Sequence, residues 1–283
     1  MNELTLVQLT DTHIRAAGEP VLDAVDTHAV LLGVLERLRG GGRRIDALIL
    51  SGDLSDNGSP EAYRRLRDAV EPAAAELGAR VLYVMGNHDE RGAFGVELLG
   101  LEPGAETGPH DRIVEVDGLR LIGLDTTTPG RHDGRLEPEQ LAWLAEELRR
   151  PAERGTLLVL HHPPLPSAIP AAEFLKLQGA DLLAEVIAGS DVRMILCGHN
   201  HMTSAAALAG VPVWVGPAMA YRIDAMAPAG RQQAYAGAGF TRLDVLGDTV
   251  IATAVEAIPV NRIYDKSDTE VQERLSALAA EAG

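Results

Sequence analysis

The chain has 283 residues, of which 46% are hydrophobic and 23% charged, enough for a sizeable core in one large domain or two modest ones. Its formal net charge of −16 argues against a broad basic surface for polymeric nucleic acid or anionic membranes. The single cysteine, Cys197, excludes an intrachain disulfide and fits a reducing compartment. Because Glu3 interrupts the first residues, the sequence predicts no signal peptide, and we expect a cytoplasmic protein.

Short apolar runs alternate with helical patterns through the first 200 residues. Strands are predicted at Leu4–Leu9, Ala47–Leu50, Arg80–Met85, Leu119–Leu124, Thr156–Leu160 and Arg193–Cys197. Helices are predicted at about 22–39, 60–77, 138–149 and 172–188, and Ser59 followed by Pro60 is a clear helix start. Strands that alternate with helices indicate an α/β domain with parallel strand pairing.

After residue 202 the pattern changes to antiparallel strands, predicted at 211–215, 239–246 and 249–257. The uncharged stretch 202–221 is long enough to cross a bilayer. Its prolines and glycines instead indicate two short buried strands, so no integral membrane span is expected. A final helix is predicted to begin at Ser267, where Ser-Asp-Thr-Glu has the form of a capping box.

Five polar clusters stand where predicted strands end. They are Asp11-Thr12-His13, Ser51-Gly52-Asp53, Gly86-Asn87-His88-Asp89, His161-His162-Pro163-Pro164 and Gly198-His199-Asn200-His201. Each alone has an ordinary explanation, such as a turn or a helix cap. The carboxyl ends of strands in an α/β sheet converge on one crevice, however, and six of the nine histidines lie in these clusters.

Crowding these side chains together has an electrostatic cost. Carboxylates and imidazoles that are partly desolvated repel one another or shift their pKa values, unless multivalent cations bind them. The set contains carboxylate, imidazole and one amide but no thiolate, and such ligands suit manganese, iron or zinc. The five clusters together therefore predict a metal site.

The order of these motifs resembles the calcineurin-like metallophosphoesterase superfamily over roughly residues 4–260. The resemblance implies an α/β fold, a four-layer αββα sandwich of two mixed β-sheets flanked by helices. It also implies a catalytic domain over 1–262, which leaves a C-terminal helical extension over 263–283.

The same resemblance implies two divalent or trivalent metal ions, manganese, iron or zinc. The first ion would bind Asp11, His13 and His201, and the second would bind Asn87, His161 and His199. Asp53 would bridge the ions, with one oxygen to each. His88 would face the substrate phosphate and the leaving oxygen, so that His88 and Asp53 are the implied catalytic residues. Asp89 would orient a neighbour, and His162 would be structural.

A narrower resemblance lies between the motifs. Gly52–Tyr63 and Leu124–Gly130 resemble bacterial class III cyclic-nucleotide phosphodiesterases, a pattern that related glycerophosphodiesterases share. It implies hydrolysis of small phosphodiesters, most of all 3′,5′-cyclic nucleotides such as cAMP, by attack of a hydroxide that bridges the metals. Specificity would come from loops 126–135 and 217–235, in which His132, Tyr221 and Arg222 are candidate substrate contacts or solvated loop residues.

Several alternatives remain open at this point. A glycerophosphodiesterase or a phosphomonoesterase would use the same site. A nuclease acting on long polymers is disfavoured by the net charge of −16. A non-catalytic scaffold is disfavoured because every implied ligand is present. A homodimer is a further hypothesis, from the subgroup resemblance and the apolar stretch 202–221.

Overall fold

The computed structural model describes residues 3–104, 108–167, 169–259 and 261–281. Its strands are β1 (Leu4–Leu9), β2 (Ala47–Ser51), β3 (Arg80–Val84), β4 (Arg112–Val116), β5 (Leu119–Leu124), β6 (Thr156–Leu160), β7 (Val192–Cys197), β8 (Ser204–Leu208), β9 (Val211–Val215), β10 (Arg222–Ile223), β11 (Ala234–Tyr235), β12 (Gly239–Leu246) and β13 (Thr249–Glu256). Its helices are α1 (Thr27–Gly40), α2 (Pro60–Leu77), α3 (Arg91–Leu99), α4 (Pro138–Leu148), α5 (Ala180–Ile187) and α6 (Asp268–Glu281), with a 3₁₀ helix at Pro170–Leu175.

Two mixed sheets form the centre of the fold. One has the strand order β13-β12-β1-β2-β3, and the other has the order β4-β5-β6-β7-β9-β8. Pairing is parallel from β1 to β3 and from β5 through β6 and β7 to β9, and antiparallel towards the edges. β10 and β11 form a separate two-stranded ribbon.

The side chains of the sheets pack in three apolar layers. In β2, Ala47 and Ile49 point between the two sheets, whereas Leu48 and Leu50 pack with α1 and α2 on the outer face. A third cluster joins the outer face of the second sheet to α4 and α5. This alternation follows from the two-residue period of a strand that is buried on both faces. The expected four-layer αββα sandwich is confirmed.

Helix boundaries follow their caps, and two predicted boundaries were wrong. α2 begins where expected, since the Ser59 side chain accepts a bond from Ala62 N and Pro60 occupies the first turn. α1 begins at Thr27 rather than 22, because Leu22 and Asp23 have positive φ and Asp26 provides the cap. α5 begins only at Ala180, because Gly179 adopts a left-handed conformation that ends any continuous helix from 172.

The C-terminal third also differs in part from the prediction. β9 lies within 202–221 as expected, but β8 is mostly exposed rather than buried. The last helix is present as α6, and Ser267 and Glu270 form its predicted capping box. The side chains of 261–276 are all exposed. Among the described helices, none is long and apolar enough to span a membrane.

Candidate metal centre

All five predicted clusters lie at the carboxyl ends of β1, β2, β3, β6 and β7, in loops except for Ser51, which is the last residue of β2. These loops have unusual backbone conformations. Nine described residues other than glycine have positive φ, and five of them are Asp11, His13, Asp53, His199 and His201. Such conformations cost about 1–3 kcal/mol each and persist where the surrounding structure enforces them. The backbone strain is therefore concentrated at the predicted ligands.

Two glycines in the motifs allow the loops to approach closely. A Cβ on Gly52 would collide with the His161 ring, and a Cβ on Gly86 would collide with the backbone and carboxylate of Asp53. Backbone bonds then fix the loop after β1 against the loop after β2, from Asp11 N to Gly52 O at 3.0 Å and from His13 N to Asp53 O at 2.9 Å. The Gly-Asp and Gly-Asn-His-Asp motifs are thus explained by contact between loops.

A first group of potential ligands consists of Asp11, His13 and His201, all buried, with ligand atoms within 4.8 Å of one another. His201 Nε2 lies 3.4 Å from Asp11 Oδ1 and 3.1 Å from His13 Nε2. His13 Nδ1 lies 3.0 Å from Asp56 Oδ1, and His201 Nδ1 lies 2.9 Å from Tyr221 O. Both partners only accept hydrogen bonds, so both rings carry a proton on Nδ1 and turn Nε2 towards each other.

That arrangement needs a positive charge. In the neutral rings, the two Nε2 atoms carry lone pairs that face each other at 3.1 Å. Two nitrogens about 2.1 Å from one ion and about 90° apart would be separated by about 3 Å. The Nδ1 contact to a carboxylate or a carbonyl is also the usual outer support of a metal-binding histidine.

A second group consists of Asp53, His161 and His199, again with ligand atoms within 4.8 Å of one another. His161 Nδ1 donates to Ser51 O at 3.0 Å, and its Nε2 lies 3.2 Å from Asp53 Oδ2. The buried Nε2 atoms of His161 and His199 have no hydrogen-bond partner among the described residues. Buried polar atoms of this kind carry a cost that a cation would remove.

Asn87, on the loop after β3, also has a buried side-chain atom without a hydrogen-bond partner among the described residues. It stands between Gly86, which touches Asp53, and His88, whose backbone N–H donates to Asp53 Oδ1 at 2.9 Å. Asn87 Oδ1 is buried and accepts no hydrogen bond from the described residues. A carbonyl oxygen without a donor is an available ligand for a cation.

Asp53 lies between the two groups. Its Oδ2 is 3.2 Å from His161 Nε2 in the second group and 3.6 Å from His13 Nε2 in the first group. Because Oδ1 is occupied by the His88 N–H, a single oxygen faces both groups. These contacts favour one shared oxygen, and the expectation of one carboxylate oxygen for each ion stays a prediction.

Charges around Asp53 shift pKa values in opposite directions. Burial disfavours the charged form of Asp11, but His201 and His161 outweigh it and lower the pKa of Asp11 to about 2. Burial opposes protonation of His161, yet Asp53 and Asp11 raise the pKa of His161 to about 9. For His199, burial and then the charge of His161 lower its pKa to about 4. The centre thus attracts positive charge to the space around Asp53.

His88 lies at the open side of the centre. Its side chain is 37% exposed, its ring centroid is 4.8 Å from that of His13, and its Nδ1 donates to Asp56 O at 2.9 Å. No role was predicted for Asp56, which joins His13 and His88 in a third group of possible ligands. The signal available was its position three residues after Asp53, in the same loop.

The remaining predicted residues have separate roles. Asp89 is an anchor, since its carboxylate accepts bonds from the backbone N–H groups of Leu54, Ser55 and Gly86 and from the Tyr63 hydroxyl. His162 is fully buried, with Nδ1 2.7 Å from Thr126 Oγ1.

Of the candidate substrate contacts, Tyr221 lies against His201, with ring centroids 4.2 Å apart and ring planes tilted by 39°. His132 reaches Asn87, and Arg222 pairs with Glu256.

Comparison with known proteins identifies the family. The family profile described as calcineurin-like phosphoesterase matches residues 4–203. A cAMP/cGMP dual specificity phosphodiesterase of Mycobacterium tuberculosis is 43% identical over 254 residues, which cover 89% of this chain and 79% of that protein. A probable glycerophosphodiester phosphodiesterase of Arcobacter nitrofigilis is 30% identical over 203 residues, 71% of this chain and 73% of that protein.

A solved structure shares the fold at low sequence identity. The dimetal phosphatase from Danio rerio superimposes with a TM-score of 0.64 at 13% identity and covers 90% of this chain and 96% of its own. The chain belongs to the calcineurin-like phosphoesterase family.

Proposed function

We propose that the protein is a metal-dependent phosphodiesterase that holds two metal ions in this centre and hydrolyses 3′,5′-cyclic nucleotides. The observation that carries the proposal is the pair of adjacent ligand groups around one buried carboxylate oxygen, Asp53 Oδ2. The facing Nε2 atoms of His13 and His201, 3.1 Å apart, support the presence of a cation in the first group.

The proposed ligands follow the two groups. Asp11, His13 and His201 would hold one ion, Asn87, His161 and His199 would hold the other, and Asp53 would be shared through Oδ2. The carboxylate, imidazole and amide ligands favour manganese, iron or zinc. When bound, the metals supply charge that lowers the pKa of water and neutralises the substrate phosphate.

Residues of the chain itself would protonate the leaving oxygen and orient the metal ligands. His88 donates through Nδ1 to Asp56 O, which leaves Nε2 as the nitrogen that can hold a proton for the leaving oxygen. The Asp56 carboxylate also lies 4.0 Å from His88 Nδ1. Asp56 also fixes the tautomer and the orientation of His13.

Cyclic nucleotides are the proposed substrates because the Mycobacterium tuberculosis relative, a cAMP/cGMP phosphodiesterase by name, is 43% identical to this chain. The relative named a probable glycerophosphodiester phosphodiesterase, at 30% identity, supports the alternative substrate class. Both substrate classes are small phosphodiesters.

A hydrolysis assay tests this proposal. The manganese-reconstituted protein is assayed with cAMP, cGMP, glycerophosphocholine and p-nitrophenyl phosphate, with an Asp53→Ala preparation as the background control. The proposal predicts the highest kcat/KM for the cyclic nucleotides. A higher value for glycerophosphocholine would favour the alternative, and rates on every diester equal to the control would contradict diesterase activity.

We further propose a homodimer. The edge strands β8 and β13 support it, because β8 is mostly exposed and its outer row of backbone groups is open to pairing. Light scattering should give twice the chain mass of 30.1 kDa.

The cytoplasmic location and the domain boundary at 262 stay predictions, although the exposed side chains of 261–276 support a separate extension.

A further inference from the structure

The amide of Asn87 contacts a loop outside the five motifs. Asn87 Nδ2 lies 3.1 Å from Nδ1 of His132, which belongs to the loop between β5 and α4. An amide NH₂ can only donate, so His132 Nδ1 accepts and the ring carries its proton on Nε2. The opposite end of the amide, Oδ1, is buried and receives no bond from the described residues.

The orientation of the side chain decides whether an amide can bind a cation, whereas a carboxylate presents oxygen in either orientation. An amide offers oxygen on one side and two N–H groups on the other, and only the oxygen binds a cation. A rotation of 180° about the last side-chain bond would turn the N–H groups towards the metal centre. Whatever fixes that rotation therefore decides whether Asn87 is a ligand.

Packing does not distinguish the two orientations of the Asn87 amide, because its oxygen and its nitrogen are similar in size. A cavity of about 180 Å³ lies beside it, bordered by Met85, Arg91 and the segment 127–130. The backbone of Asn87 is held from both sides, since the Asp89 carboxylate accepts from Gly86 N at 2.9 Å and Asp53 accepts from His88 N. The side-chain amide is held by His132.

Ion pairs and hydrogen bonds anchor the loop that carries His132 on both sides of this residue. Before it, Arg91 forms an ion pair of 3.1 Å with the buried Asp125 and donates to the carbonyl and hydroxyl of Thr127. After it, Gly134 N donates to Lys176 O at 3.2 Å and Gly134 O accepts from Gln178 N at 2.8 Å. His132 is thus presented to Asn87 by a loop with two fixed points.

We propose that His132 is a positioning residue: it holds the Asn87 amide with Oδ1 turned towards the second metal ion. This inference rests on the proposed function, in which Asn87 binds that ion. Loss of an outer hydrogen bond to a metal ligand typically lowers metal affinity by about 10- to 100-fold. Because the bond between Asn87 and His132 is exposed to solvent, we expect the lower end of that range, about tenfold.

Calorimetric titration of the metal-free protein with manganese measures this effect without an activity assay. His132→Ala should weaken one of two binding events about tenfold and leave the other unchanged. His132→Asn should retain the wild-type affinity, because its Oδ1 replaces the acceptor at Nδ1. The matched control is Arg135→Ala, an exposed side chain of the same loop, which should bind like the wild type.

Repeating the His132→Ala substitution in an Asn87→Asp variant tests whether His132 acts by orienting the amide. In Asn87→Asp, either end of the side chain presents oxygen, so adding His132→Ala should cause no further loss of manganese affinity. A tenfold loss in that background would overturn the orienting role. So would unchanged manganese affinities in His132→Ala, whether or not the KM for substrate rises.

The manganese affinity of Asn87→Ala distinguishes a failure of this inference from a failure of the proposed function. Asn87→Ala should abolish or strongly weaken one binding event. If it does and His132→Ala does not, the inference fails and the ligand assignment stands. If Asn87→Ala binds manganese like the wild type, the ligand assignment itself fails.

Discussion

Asp53 Oδ2 and His161 Nε2, both buried, lie 3.2 Å apart and join the two sheets of the sandwich. Asp53 follows β2 in the first sheet, and His161 follows β6 in the second sheet. His161 is held on its other side by Ser51 O at 3.0 Å. A cation bound between these residues would therefore link the two halves of the fold.

Metal removal should destabilise the protein for this reason. An ion that binds only the folded state adds about 4 kcal/mol at a concentration a thousand times its dissociation constant. Calorimetry with manganese and then with a chelator should show a clear fall in Tm, which readdition of manganese reverses. An identical Tm in both conditions would show that the ligand groups bind no metal in solution.

Asp53→Ala should lose both ions and nearly all activity, because Asp53 Oδ2 faces both groups. Elemental analysis of the purified variant measures the metal content directly. The matched control is Asp23→Ala, which replaces an exposed aspartate that also has positive φ. Two tightly bound ions in Asp53→Ala would refute the shared-ligand assignment.

His88→Ala should retain both ions and lower kcat by about 10²- to 10⁴-fold, since a general acid typically contributes that much. The expectation follows from its position beside the ligands, with Nδ1 held by Asp56 O. Steady-state kinetics and metal analysis on one preparation provide the test. Loss of an ion together with activity would make His88 a ligand instead.

Arg120 supports the fold away from the centre. It pairs with Asp191 at 3.1 Å and donates to the carbonyls of Glu147, in the last turn of α4, and of Arg150, just after α4. Arg120→Ala should lower the free energy of unfolding by about 3–5 kcal/mol, because it leaves a largely buried charge unpaired.

Urea denaturation compares this variant with Arg149→Ala, which breaks an exposed pair with Glu146 and should cost less than about 1 kcal/mol. Equal losses in the two variants would contradict the role assigned to Arg120. Metal content should be unchanged in both.

The apolar runs predicted an α/β domain and most of its strands because buried parallel strands are continuous apolar runs bounded by polar loops. The sandwich of two sheets was implied by the family resemblance. The convergence of the proposed ligands was predictable because each of their clusters follows such a strand. No role was predicted for Asp56, and His132 was predicted only as a candidate substrate contact or a solvated loop residue. Their contacts to His13 and to Asn87 cross between loops, and no local pattern records them. The helix starts at Thr27 and Ala180 were missed because left-handed backbone conformations, at Leu22 and Asp23 before α1 and at Gly179 before α5, interrupt the helical pattern.

Anomalous scattering from a crystal of the manganese-loaded protein tests the central claim most directly, since it locates the ions themselves. Two neighbouring peaks are expected, one among Asp11, His13 and His201, the other beside His161 and His199, with Asp53 bound to both. A single peak, or peaks that Asp53 does not touch, would contradict a shared two-metal centre.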